Sequence, residues 1–200
     1  MSRLLLILGV CLTIAFFGVF VWQQSKKSTR EDDADKHTEI ATTMEGAVAD
    51  GLATGTVLTE YVQTGNPALL ATMQAKSDEA VGKLTAAVTN AGSDPNGFVK
   101  TGSVIVQRSG EVIALRQAGD AAGASAALQA LGNDFGGFVQ QQRAFVAEER
   151  QAADSSKASA DDANQLSILF MVAGMVTTLA IAGATAVRLF RRKPAVPLPA

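Results

Sequence analysis

Few side chains in this sequence are equipped for chemistry. His37 is the single histidine and Cys11 the single cysteine. No histidine-pair mechanism, cysteine zinc site or disulfide framework can be assembled from them. His37 stands alone in a polar stretch and reads as an exposed residue. The acidic run Glu31, Asp32, Asp33, Asp35 and Glu39, taken with Asp161 and Asp162, carries the oxygen ligands that hard cations want. It lacks any loop spacing, and a solvated acidic face is the expected outcome, so no metal site is assigned. Arg108 and Arg116, eight residues apart, could meet an anion, but solvent-facing or salt-bridged arginines are the simpler reading. No Ser/His/Asp set, phosphate loop or catalytic carboxylate pair appears. The chain reads as a non-enzyme without a cofactor, and a net charge of −2 gives no reason to expect nucleic acid.

What the sequence does carry is apolar length. Hydrophobic residues make up 48% of the 200, and the mean hydropathy is +0.18. Residues 4–22, LLLILGVCLTIAFFGVFVW, contain no charge. At 1.5 Å per residue they span roughly 28 Å, close to the hydrocarbon thickness of a bilayer. Trp22 stands where an interfacial anchor belongs. Residues 166–187 form a second uncharged run, whose Thr177, Thr178 and Thr185 can return their hydroxyls to their own backbone. A cleaved signal peptide is the alternative for the first run, but no small-residue cleavage site follows it. Val10 before Cys11 also argues against a lipoprotein. An uncleaved anchor is the expectation.

Charge sets the expected orientation. All 19 acidic residues and 12 of the 17 basic ones fall in 23–165, a net −7. The ends hold Arg3, Arg188, Arg191, Arg192 and Lys193. By the positive-inside rule both ends are cytoplasmic and the middle is extracytoplasmic. Lys26, Lys27 and Arg30 argue mildly the other way.

Within the middle, Gly and Pro mark three breaks: Gly65-Asn66-Pro67, Ser93-Asp94-Pro95 and Ala118-Gly119-Asp120. Apolar and small residues recur at helical spacing between them. The stripes are Ile40, Met44, Ala47, Gly51, Thr54, Leu58 and Tyr61; Leu69, Met73, Ser77, Ala80, Leu84 and Ala87; Phe98, Gly102, Ile105, Ser109, Val112 and Leu115; and Ala124, Leu128, Leu131, Phe135, Phe138, Gln142, Phe145 and Ala152.

The expected fold is all-α. Two transmembrane helices flank an extracytoplasmic up-down-up-down four-helix bundle. The segments are an N-terminal anchor (1–22), the bundle with a membrane-proximal stalk (23–165), a second transmembrane helix (166–187) and a basic, Pro-rich tail (188–200). The stalk, roughly 23–39 and 148–165, is polar and Ala-rich and should be the least stable part. Glycine is frequent inside the helices, at about 1 kcal/mol each relative to Ala. Gly51 and Gly132 are expected at similar heights. Together with Phe135, Gly136 and Phe138 they mark either close packing or a mid-bundle cavity or bend. In the second anchor, Gly174, Thr177 and Gly183 lie on a small-residue surface suited to close helix contact in lipid. That surface packs either on the chain's own first anchor or on a partner helix. Pro194, Pro197 and Pro199 give a short extended tail.

Residues 56–70, TVLTEYVQTGNPALL, resemble the stretch of the CHASE3 sensory domain that reads T-G-x-R-G-Y-L-L-T-G-D-P. Thr56, Tyr61, Val62, Thr64, Gly65 and Pro67 fit, with Asn66 for the usual Asp, while Val57, Thr59 and Glu60 depart and the arginine is missing. Residues 111–119, EVIALRQAG, extend the likeness, which covers roughly 31–160. Chemoreceptor four-helix sensor domains are a comparable match. The resemblance implies the extracytoplasmic input of a signalling protein, yet only 188–200 follow the second anchor.

Two functions are therefore expected. In the first, the chain is an accessory subunit of a larger bacterial inner-membrane assembly. It would act through other membrane proteins, in a hetero-complex or homodimer, and through the bilayer. In the second, it is a sensory input subunit that binds a small molecule and signals to a separate kinase, cyclase or chemoreceptor.

Overall fold

The computed structural model describes residues 2–94 and 96–191, with side-chain surroundings for 14–94, 96–181, 183 and 184. Arg192, Lys193, Pro194, Pro197 and Pro199 lie outside the described residues, as do the side chains of Arg3, Cys11, Thr185, Arg188, Arg191 and the rest of 2–13. Every described element is a helix: α1 (Ser2–Thr64), α2 (Ala68–Ala91), α3 (Phe98–Gln117) and α4 (Ala121–Arg191).

The helices end where local chemistry ends them. Gly65 takes φ 69°, a left-handed conformation that costs glycine little, and its N–H donates to Tyr61 O at 2.8 Å. Asn66 Oδ1 accepts from Ala68 N at 3.1 Å and starts α2. Asp94 caps α3 twice, accepting from Phe98 N at 2.6 Å and Val99 N at 3.1 Å. At the last corner Asp120 N donates to Leu115 O and Gly119 N to Arg116 O, the double bond pattern of a helix stop. Asp120 Oδ1 then accepts from Gly123 N to open α4.

The chain divides into two compact units, 33–155 and 1–32 with 156–200. In the first, four helical segments enclose a core. The lower cluster centres on Ile40, Met44, Ala87 and Phe98. Phe98 is fully buried and meets Phe138 and Phe145 edge to face, at 6.1 and 5.5 Å. A second cluster joins Leu58, Tyr61, Val112, Ala124 and Leu131. Pairs such as Asp50–Lys83 and Glu39–Asn90 run in opposite order along α1 and α2, so these helices are antiparallel. All four stripes read from the sequence are buried or half-buried. Two further faces join them, Ala34, Ala41, Val48 and Val62 on α1 and Val139, Val146 and Ala153 on α4. Their seven-residue spacing is that of left-handed helix packing.

In the second unit the buried residues are small: Ala160, Ala163 and Ser167. Gln24 Nε2 donates to Ser167 Oγ at 3.2 Å, and an Arg30 guanidinium N–H donates to Ser159 O. Among the described residues many large apolar side chains face outward, including Phe17, Leu169, Met175, Val176 and Leu179, while Phe16 and Phe170 are half-buried. Among the described residues one helix segment, within Ala121–Ile181, is long and apolar enough to cross a membrane, and only 6% of it is buried. Lys26 Nζ lies 4.0 Å from the centre of the Trp22 ring.

Candidate functional site

The site with the most shape is a 70 Å³ cavity inside the four-helix unit. All four helices contribute to it, α1 with Gly51, α2 with Ser77, α3 with Gly102 and α4 with Phe135. Its existence follows from residue size. A methyl group on Gly51 would come within 3.2 Å of Phe135 Cζ, and one on Gly102 within 3.0 Å of Leu84 Cδ2. Both glycines thus hold neighbouring side chains in place by leaving them room.

The lining is mixed. Leu84, Ile105, Phe135 and Phe138 provide apolar walls, while Thr54, Ser77, Ser109 and Gln142 are polar residues on otherwise apolar stripes. Thr54 Oγ1 donates to Asp50 O at 2.8 Å and Ser109 Oγ to Ile105 O at 2.9 Å. Gln142 is 2% exposed, and its Nε2 donates to Met44 Sδ at 3.5 Å. A thioether is a weak acceptor, so the Nε2 end of this amide is weakly held, although among the described residues no buried side-chain nitrogen or oxygen lacks a partner.

Of the five residues expected to mark a mid-bundle cavity, the structure brings together Gly51, Phe135 and Phe138. Gly132 and Gly136 do not line it: both are exposed, and nothing lies within 4 Å of a methyl group added there. Each follows an inward-facing residue, Leu131 or Phe135, by one position, which turns it about 100° round the helix. α4 continues as one helix through Gly136-Gly137. Gly102 belongs to the site and was not singled out. The signal for it was four polar residues, Thr54, Ser77, Ser109 and Gln142, set in core stripes.

Outside the cavity, Asp50 sits between two lysines, with Lys83 Nζ at 2.5 Å and Lys76 Nζ at 3.8 Å. The Lys83 hydrogen bond holds the Asp50 carboxyl below its ordinary range, against partial desolvation, helped by the charges of Lys83 and Lys76. Lys76 is pushed up by its hydrogen bond and charge interaction with Glu79, against slight desolvation, with Asp50 adding to it. The Lys83 stem lies over Gly46, whose added methyl would meet Cδ at 3.1 Å.

Arg108 and Arg116 are engaged within the chain. Arg108 pairs with Asp134. Arg116 Nε donates to Val62 O at 2.9 Å, closing the C-terminal end of α1. His37, expected alone and exposed, is half-buried with Nδ1 2.6 Å from Glu149 Oε2. Among the described residues no group of three or more His, Cys, Asp or Glu is placed to hold a metal ion. In the other unit, a methyl group on Gly174 would meet Phe16 Cβ at 3.3 Å and Cγ at 3.4 Å, so this glycine faces the chain's own α1. Thr177 is half-buried and donates to Ala173 O, and Gly183 is exposed with nothing within 4 Å of an added methyl.

Neither a family model, nor a curated protein, nor a solved structure matches this chain.

Proposed function

We propose that the chain is a non-enzymatic, two-pass membrane protein of the bacterial inner membrane. On this reading residues 23–165 form an extracytoplasmic, up-down-up-down bundle of CHASE3-like type, and both termini are cytoplasmic. The bundle is an input module that takes a small molecule between its helices and acts through a separate signalling partner. The mid-bundle cavity carries the reading. All four helices line it, so an occupant contacts each of them and can change their spacing, the kind of displacement that two long helices could transmit. The outward-facing apolar surface of α4 supports the membrane part, since large apolar side chains face outward where the solvent is lipid.

The accessory-subunit reading retains one observation. Ile168, Leu169 and Val172 line an open apolar groove on α4, where a partner helix could lie. Gly183 is a better probe of this reading than Gly174, which already packs on Phe16.

The test combines topology and assembly. In a Cys11→Ser background, Asn90→Cys should react with an impermeant thiol reagent from outside spheroplasts and Ala195→Cys should not; the reverse pattern removes the reading. In mild detergent, an input module should co-migrate with a kinase, cyclase or chemoreceptor and keep it in Gly183→Leu. Loss of a stoichiometric membrane complex in Gly183→Leu favours the accessory subunit.

A further inference from the structure

The cavity's chemistry narrows what it can hold. None of its lining residues is charged; Asp50, Lys76 and Lys83 lie nearby but outside the lining. A buried ion there would have no partner, a cost that excludes charged occupants. Size is a second limit. At 70 Å³ the space is about half of a cavity that takes benzene, and holds about three or four non-hydrogen atoms.

Polarity is the third limit. The protons of the Thr54 and Ser109 hydroxyls already go to the carbonyls of Asp50 and Ile105, so among the lining groups these two oxygens are left to act as acceptors. Gln142 is 2% exposed, and its hydrogen bond to Met44 Sδ runs from Nε2, which leaves the carbonyl oxygen as a further acceptor. Acceptors therefore outnumber donors. The side chains of Leu84, Ile105, Phe135 and Phe138 make up the apolar part of the lining. Val81 and Val106 line the cavity and are also 42% and 44% exposed, which places its mouth between α2 and α3.

We infer that the mid-bundle cavity binds a neutral molecule of about three or four non-hydrogen atoms, a small amide or short alcohol. Its N–H or O–H donates to Gln142 Oε1 and the neighbouring hydroxyl oxygens, and its alkyl end packs against Leu84 and the phenylalanine rings. This inference rests on the input-module reading and specifies its ligand. Entry runs past Val81 and Val106, and occupancy separates α4 from α1 at the Gly51–Phe135 contact.

The test uses the full chain in detergent micelles with labelled Leu, Val and Ile methyl groups, titrated with four probes: acetamide, acetate, methylammonium and xenon. Acetamide should give saturable shifts at Leu84, Ile105, Val81 and Val106 and none at Leu58 or Val112. Ala80→Leu, which fills the cavity from α2, should abolish them; Ser77→Val serves if that variant does not fold. Gln142→Leu should weaken acetamide about 10-fold while leaving xenon unchanged. Equal shifts with acetate or methylammonium would overturn the neutral-ligand inference. Shifts with xenon alone would overturn the hydrogen-bonding class while leaving the cavity, and so the input module, standing. Silence from all four probes would remove both.

Discussion

The two compact units sort their apolar residues in opposite ways. In 33–155 the largest apolar side chains of the core point in: Ile40, Met44, Leu58 and Phe98 are all at or below 2% exposure, although Leu52 and a few valines stay exposed. Among the described side chains of the unit formed by 1–32 and 156–200 many point out, with Leu169 at 68% and Leu179 at 72%, while Ala160 and Ala163 are covered. Stretches of the same two helices, α1 and α4, thus follow two rules. Around water, burial of large apolar surface drives packing. Around lipid that drive is absent, and small residues are selected at contacts because they let backbones approach. The contrast is the strongest physical support for the membrane part of the proposal, and it can be broken.

The largest expected effect is at Phe98. Phe98→Ala removes a fully buried ring from between Phe138 and Phe145 and should cost about 3–5 kcal/mol. Leu169→Ala in the other unit should change stability by less than about 0.5 kcal/mol. Thermal melting of the full chain in detergent reads both, and similar losses at the two positions would cancel the contrast.

The helix 1–2 corner comes next. Arg116→Ala leaves Val62 O without its charged donor and should cost about 2 kcal/mol. Gly65→Ala should cost about 1–2 kcal/mol, because its φ is positive and an added methyl would lie 2.7 Å from an Arg116 guanidinium nitrogen. In denaturant titrations the double variant should cost less than the sum of the two, since removing Arg116 relieves part of the clash. Strict additivity would show that the two residues do not touch.

Glycines sharpen the comparison further. Gly132→Ala should stabilise by about 0.5–1 kcal/mol, since the position is helical and open. Gly51→Ala and Gly102→Ala should show no such gain, because each methyl must displace Phe135 or Leu84. Equal gains at all three would mean that the cavity walls are not tight.

The smallest effect is electrostatic. Asp50 titrates lower folded than unfolded, so its contribution is complete above its ordinary value and fades as pH falls through the lower folded one. Lys76 titrates higher folded, so its contribution is complete below its ordinary value and fades as pH rises through the raised one. The wild-type advantage over Asp50→Asn should hold at neutral pH and shrink on strong acidification. Added salt should shrink it at any pH, because the pairs face solvent.

The amino-acid sequence by itself determined the breaks between helices and the inward face of each. Both are local. Gly65, Asp94 and Asp120 stop or cap a helix with their own backbone and side-chain chemistry, and a stripe such as Ile40–Met44–Ala47 shares a face whatever packs against it. The half-buried setting of His37 and the second buried faces on α1 and α4 were not legible in that way. Nor was the membership of the cavity, for which Gly51 qualified and Gly132 did not. Periodicity places a residue round its helix, but its neighbour depends on the relative rotation and height of a second helix. Only the packed structure decides those, by bringing Phe135 over Gly51, Leu84 over Gly102, Arg116 onto the end of α1 and Phe16 against Gly174.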